Sequence, residues 1–478
     1  MPSFKNPVLF STEFGVNKAT LRQMGVLNPQ LRVDTKLFID PILLCESSHA
    51  EMKRAAETFI GFFDRLMRLL LNSDCNSDIA WRTARRLFQG HEIRGTCLGY
   101  GSLSTSGTGI SSATAAGLLR SAKQIVDLGT REPDLFYVLF LLEPGVGPDA
   151  ISDLTTNIIL SDLSAFSQRV CATLGIETQP FSFRNYPGGT FYFPRNPCAP
   201  RLQPVILVPT DVLRDLPIAS DWDDVCDAAA YNDDVRNRVN VHVGDIWHET
   251  RGKVLAKVKK DIQAYQCIRD ALGLVPRTSY DCIGDPAGVI SWGDVLDSIS
   301  SDYPLSLPSR RKDDLPITYL AGTVKRIITQ FTFLVEERGL WQTFWYRGTP
   351  KGEKAAQLLF FAIAHSYCKA NNLDVTPEAD TGNGPVDFKF SSGFSGRFLV
   401  ELKLSKGRVV HGYEKQLEFY KQAEETEDAA FVVIDVGSMG KKDMDIIELK
   451  NKRTRDGKKA SEIYFIDALP KESASKRN

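Results

Sequence analysis

The sequence predicts an α/β protein in two parts: a small mixed sheet flanked by helices over residues 316–478, and a larger α+β domain over 1–315. Three observations carry the prediction. Residues 385–404, PVDFKFSSGFSGRFLVELKL, form two alternating apolar–polar runs around a Gly/Ser turn, and a period of two is the signature of strands. Residues 430–436, AFVVIDV, are nearly all apolar, as a central strand covered on both faces should be. Residues 299–316, ISSDYPLSLPSRRKDDLP, are rich in Ser, Pro and charge, which marks a boundary.

Composition bounds the function. A chain of 478 residues is long enough for more than one domain. Lys and Arg total 58 against 59 Asp and Glu, a net charge of −1, so contact with a polyanion must come from local basic patches. The nine cysteines are odd in number and show no CxxC spacing, which predicts reduced thiols, without a disulfide framework or a zinc site. No run of eighteen apolar residues occurs, and the first fifteen residues lack a basic-then-apolar leader. The expectation is no membrane span and a cytoplasmic compartment.

In the front part, residues 32–41 read as a short strand ended by Asp-Pro, with Asp34 and Asp40 as turn and cap residues. Residues 50–71 place Phe59, Phe62, Phe63, Leu66, Leu69 and Leu70 at helical spacing, and 81–88 give a second helix. The Gly/Ser loop 99–109 runs into a helix over 111–128, with Gly129 just past its end. Such a loop can offer amides to phosphate, but no Gly-Lys-Ser/Thr follows, so it is not a Walker loop. A helix over 145–174 takes Asp149 or Ser152 as its cap, with Asp149 and Asp153 one turn apart. Residues 181–194 read as a hairpin, 203–208 and 238–243 as strands, and 250–272 as a lysine-bearing helix ended by Gly273.

In the last part a helix over 317–338 is followed by Trp341, Phe344, Trp345 and Tyr346, read as an interdomain core cluster rather than a base-stacking platform. A helix over 352–370 precedes the 385–404 hairpin; His365 lies in its apolar stretch. After the hairpin come a helix with Gln416 and Tyr420, the strand 430–436, a basic run over 450–459 placed on a loop, and an edge strand at 463–466.

The hairpin holds the chemistry. Residues i and i+2 of a strand share a face, so Glu401 and Lys403 emerge side by side while Val400, Leu402 and Leu404 turn inward. The turn brings Asp387 back toward Glu401. Two carboxylates about 4 Å apart, at an effective dielectric of about 20, repel by about 4 kcal/mol. A hard divalent cation such as Mg²⁺ removes that cost and keeps water for a phosphate ligand. The bland alternative is a same-face ion pair on an exposed edge strand, worth about 0–1 kcal/mol.

At these positions the sequence resembles the PD-(D/E)XK, or restriction-endonuclease-like, nucleases. Pro385-Val386-Asp387 followed fourteen residues after the aspartate by Glu401-Leu402-Lys403 matches the motif, with Val386 separating the proline from the acid. Glu353 on the preceding helix and the Gln416-xxx-Tyr420 pair on the following one match accessory elements of the family. The resemblance covers roughly residues 350–436. It implies a restriction-endonuclease-like mixed sheet and a Mg²⁺-dependent endonuclease, with Mn²⁺ able to substitute. Asp387, Glu401, Glu353 and the Leu402 carbonyl would hold the metal, Lys403 would position or activate water, and Gln416 and Tyr420 would orient phosphate. His411 is a further candidate for proton transfer. The implied substrate is nucleic acid, DNA before RNA, with a protein partner or a homo-oligomer and without a membrane. A nuclease module joined to a long unrelated region suggests a prokaryotic antiviral defence effector. The competing expectations are a non-catalytic nucleic-acid-binding or assembly protein on a degenerate nuclease fold, and a small-molecule hydrolase using residues 95–160.

Overall fold

The computed structural model describes residues 8–88, 93–99, 111–244, 249–293, 299, 302–305, 316–370, 373–380, 385–391 and 396–471. It is a mixed α/β chain that divides into two compact units, 1–280 and 281–478. The Gly/Ser loop from 100 to 109 and most of the Ser/Pro-rich 299–316 stretch lie outside the described residues. The division falls earlier than 315/316 because Asp281, Gly288 and Tyr303 meet residues of the last part. Tyr346 donates its hydroxyl to Asp281 at 3.1 Å, Tyr367 donates to the Tyr303 carbonyl at 2.6 Å, and Gly288 lies so close to Ala355 that an added Cβ would stand 2.8 Å from its side chain.

The first unit is mainly helical. The helix Ala50–Leu71 buries Phe59, Phe63, Leu66, Met67 and Leu70, with Phe63 against Phe136 at a ring separation of 4.4 Å. Phe136 belongs to Leu135–Leu142, LFYVLFLL, an apolar helix with seven buried residues. Ser111 caps Ser112–Asp127, its hydroxyl accepting the Thr114 amide at 3.0 Å. The 181–194 hairpin pairs Gln179–Phe181 with Phe191–Phe193.

Four local expectations change. Residues 238–243 lie on a helix, Asp233–His242, capped by Asn232. Val235, Val239 and Val243 are buried and Val241 is 77% exposed, so the apolar period is four, not two. The 145–174 helix breaks at Ile159 into Pro148–Ile158 and Leu160–Leu174, and the first begins at Gly147 without a side-chain cap. Ser152 instead accepts the Ile39 amide. The 250–272 helix is two, Arg251–Val258 and Ile262–Leu274, because Asp261 caps a second start; Gly273 falls inside it. Residues 205–208 are buried, but their backbone bonds go to Pro194, Gly95, Ser167 and Leu27 in turn instead of to one neighbouring strand.

The second unit carries the mixed sheet. Its helices are α1 (Pro316–Glu337), α2 (Glu353–Ala370), α3 (residues 409–423) and α4 (Lys442–Arg455). Its strands are β1 (Asp374–Asp380), β2 (Pro385–Ser391), β3 (Arg397–Leu404), β4 (Ala429–Asp435) and β5 (Glu462–Asp467), in spatial order β5-β4-β3-β2-β1. β1, β2 and β3 run antiparallel in succession, while β4 lies parallel to both β3 and β5. β4 is central and its first six residues are buried. The aromatic cluster packs within this unit: Phe344 is buried and Trp345 donates to the Ala468 carbonyl at 2.7 Å. The basic run is no simple loop. Its first half forms the last turn of α4, where Lys452, Arg453 and Arg455 meet the negative end of the helix dipole. Among the described residues no helix is long and apolar enough to cross a membrane.

Candidate active site

The β2–β3 ladder pairs Phe388 with Val400, and one residue further along Asp387 stands opposite Glu401. Both acids are buried, Asp387 at 7% exposure and Glu401 at 2%. The strand period works as expected: Val400, Leu402 and Leu404 enter the core, and Lys403 shares Glu401's face, with Nζ 3.1 Å from Oε1. β3 has neighbours on both sides, so the bland reading of an exposed edge pair does not hold.

The first two turns of α2 supply two more groups. Glu353 Oε1 accepts from Lys403 Nζ at 2.9 Å. Gln357, one turn on, donates from Nε2 to Asp387 Oδ1 at 2.7 Å. The other Asp387 oxygen accepts the Leu402 amide at 2.7 Å. Leu402 thus reaches the site through its N–H. Gln357 was not anticipated, although its i, i+4 relation to Glu353 puts both on one helix face.

Burial, and then the charge of Glu401, push the Asp387 carboxyl up to about 8, against the pull of Lys403 and the Leu402 amide. Burial likewise raises Glu401, opposed mainly by Lys403. Burial works against the charge on Lys403, but Glu401 and Asp387 outweigh it and hold the amine above its usual range. Tyr420 is buried, and its hydroxyl is raised by burial first and by the charges of Glu401 and Asp387 next.

α3 comes close to this group through a π turn over Gly412–Gln416, an irregularity that recurs at functional sites. Residue 412 must be small there: a Cβ would stand 3.4 Å from Lys403 Cε and 3.2 Å from Phe431 Cζ. Gln416 ends the turn half-buried, and His411 is exposed at its start. Among the described residues no hydrogen bond joins Gln416 to Asp387, Glu401 or Lys403. His365 packs against Phe361.

The donor set fits a divalent cation at the acid pair. Glu401 Oε2 is buried with no hydrogen-bond partner, and its neighbour is a second buried carboxylate; oxygen donors of this kind suit Mg²⁺. Among the described residues no group of three or more His, Cys, Asp and Glu side chains gathers about one ion position. Glu353 is held by Lys403 instead.

The other candidates have surroundings of their own. In the first unit, a Cβ on Gly99 would stand 2.6 Å from Asp149 Oδ1 and 3.6 Å from Asp34 Oδ2, so these acids flank one glycine. Asp40 caps a short helix through the Ile42 amide. In the basic run, Arg453 pairs with Glu418 and lies over the Tyr413 ring, and Lys459 pairs with Asp428 at 2.8 Å.

Two family models match the chain. One, described as a domain of unknown function (DUF8370), covers residues 15–221, and the other, also a domain of unknown function (DUF8371), covers 320–438. The second match contains Glu353, Gln357, Asp387, Glu401, Lys403 and Gln416. No curated protein and no solved structure matches the chain.

Proposed function

We propose that the second unit is a restriction-endonuclease-like nuclease module that hydrolyses phosphodiester bonds of nucleic acid, DNA before RNA, with Mg²⁺ as its cofactor and Mn²⁺ as a substitute. One observation carries the reading: two buried carboxylates face each other across β2 and β3, one with an unpartnered oxygen, and a lysine ammonium lies 3.1 Å from that same residue, Glu401. A chain has little to gain from concentrating that charge in its core unless a cation or a substrate uses it.

Asp387 and Glu401 would hold the ion. When bound, Mg²⁺ supplies positive charge to stabilise the negative charge that develops on phosphorus oxygens during in-line attack. Lys403, fixed by two carboxylates, donates toward the attacking water or a non-bridging oxygen and holds it in line. Gln357 and the Leu402 amide fix the Asp387 carboxylate. Gln416 and Tyr420 would orient the phosphate or support Lys403. The exposed cations of 450–459 offer phosphate contacts outside the site. By analogy of architecture alone, the protein acts as a prokaryotic defence effector whose first unit recognises a trigger or partner.

The test is incubation of the full chain with plasmid, linear and single-stranded DNA and with RNA, with Mg²⁺ or Mn²⁺, beside the Glu401→Ala and Lys403→Ala variants. Cleavage by wild type alone is expected. Cleavage retained by both variants would remove the assignment. A protein that binds nucleic acid and cuts none of these substrates, with or without a partner or an infected-cell extract as activator, would favour the non-catalytic reading.

A further inference from the structure

The position of Glu353 separates two jobs that the sequence had merged, and resting on the nuclease reading we infer that Glu353 is the positioning residue of Lys403 and stays outside the ion's ligand set, so that the acid pair takes one divalent cation. Three observations converge. Glu353 Oε1 lies 2.9 Å from Lys403 Nζ, an ammonium whose side chain is only 12% exposed. Its second oxygen lies toward the turn beyond β3, where a Cβ on Gly407 would stand 3.7 Å from Oε2. The unpartnered oxygen belongs to Glu401, next to Asp387, and no third acid joins them among the described residues.

Electrostatics favours the division. Asp387 and Glu401 together neutralise one divalent cation, and Glu353 neutralises the lysine. Oε2 faces the turn beyond β3, so to become an ion ligand Glu353 would have to turn its carboxylate and take Oε1 off Lys403, leaving an ammonium beside a dication with one acid fewer to offset it. Like charges so placed disfavour one another strongly. Two acids are also too few to clamp a pair of ions, which shares oxygen ligands across about 4 Å. Glu353 therefore acts through Lys403: it keeps the ammonium turned to the acid pair instead of outward to solvent.

Calorimetric titration of the full chain with Mn²⁺ alone tests this. Wild type is expected to bind one ion at the site. Glu353→Gln is expected to bind one ion with affinity within about threefold of wild type, while Glu401→Gln loses binding tenfold or more. On DNA, Glu353→Gln is expected to fall about a hundredfold in kcat with little change in KM, and Glu353→Asp to recover part of it. A merely structural role would not spare Mn²⁺ affinity and KM while lowering kcat. Mn²⁺ affinity falling tenfold in both Glu353→Gln and Glu353→Asp, or two ions bound by wild type through these acids, would overturn the inference and leave the nuclease reading standing. No Mn²⁺ binding by wild type would remove both.

Discussion

Asp40 in the first unit and the Asp387–Glu401 pair in the second are both buried acids, and their surroundings are opposite. Asp40 is 0% exposed, and both of its oxygens are used: Oδ1 accepts the Ile42 amide at 3.0 Å and Oδ2 the Ile218 amide at 3.1 Å, with Arg214 4.0 Å away. Its job is to tie the strand pair Phe38–Ile39 and Leu213–Arg214 to the short helices that follow each. The pair in the second unit has a like charge for a neighbour and an oxygen with no partner. Burial raises the carboxyl in both places, so a raised carboxyl alone does not mark a site. Incomplete satisfaction does, because a folded chain closes the bonds of a structural acid.

The largest effect that would break this contrast is on cleavage. Glu401→Ala is expected to remove activity by about a thousandfold or more, and Lys403→Ala by about a hundredfold to a thousandfold, with the far-ultraviolet circular dichroism of both unchanged. Asp40→Asn is expected to leave kcat alone and to destabilise the first unit by about 2 kcal/mol. It turns one acceptor into a donor facing a backbone amide, and a buried group so stranded costs about 1–3 kcal/mol. Calorimetric unfolding at neutral pH reads it. A large loss of kcat in Asp40→Asn, with both unfolding transitions intact, would erase the distinction between the two acids.

What the sequence disclosed follows the same line between local and non-local causes. Glu401 and Lys403 were legible because a strand's period of two fixes their face without reference to the rest of the fold, and Asp387 because a short turn returns it. Glu353 was legible as an acid near the site but not as the lysine's partner, since that depends on where α2 crosses the sheet. β1 escaped because Pro377 interrupts its pattern; a proline is tolerated there because β1 is at the sheet edge. The helix Leu135–Leu142 escaped because eight apolar residues in a row have no period to read. Residues 238–243 misled because valines at 239, 241 and 243 fit a strand, while burial of 235, 239 and 243 fits a helix. The π turn has no sequence signature here beyond Gly412.

The same substitution made at the second acid sharpens the comparison by reversing its sign. Burial and the charge of Glu401 push the Asp387 carboxyl from the ordinary 3.8 up to about 8 in the folded protein. A folded-state value above the unfolded one contributes stability that is complete below about pH 4 and is lost as the pH rises through about 8. Asp387→Asn imitates the neutral form at every pH: Nδ2 takes the place of Oδ1, and Gln357, unlike the backbone amides that face Asp40, can turn its own amide to accept from it. Without divalent cation at pH 9 it is expected to unfold later than wild type, by about 1–2 kcal/mol, and at pH 4 to match it. Thermal unfolding across that range in a chelating buffer measures the difference. A variant less stable than wild type at pH 9 would put Asp387 in the same class as Asp40.

The smallest expected effect tests how closely α3 is fitted to Lys403. Gly412 has ordinary helical backbone angles, φ −58° and ψ −47°, so alanine there meets no backbone strain and slightly favours the helix. Its methyl would nonetheless stand 3.2 Å and 3.3 Å from ring atoms of Phe431 and 3.4 Å from Lys403 Cε. Phe431 is fully buried in the core with Tyr413 and Leu417, so the ring has little room to yield, and the turn that carries residue 412 shifts away from it and onto the lysine stem. A displacement of a few tenths of an ångström at a group that positions a reactant is expected to cost about fivefold in kcat, roughly 1 kcal/mol. KM and the unfolding temperature should stay close to wild type. If Gly412→Ala lowered stability by several kcal/mol and left kcat unchanged, the glycine would serve the packing of Phe431 alone, and the π turn would belong with the structural features of the first unit rather than with the site.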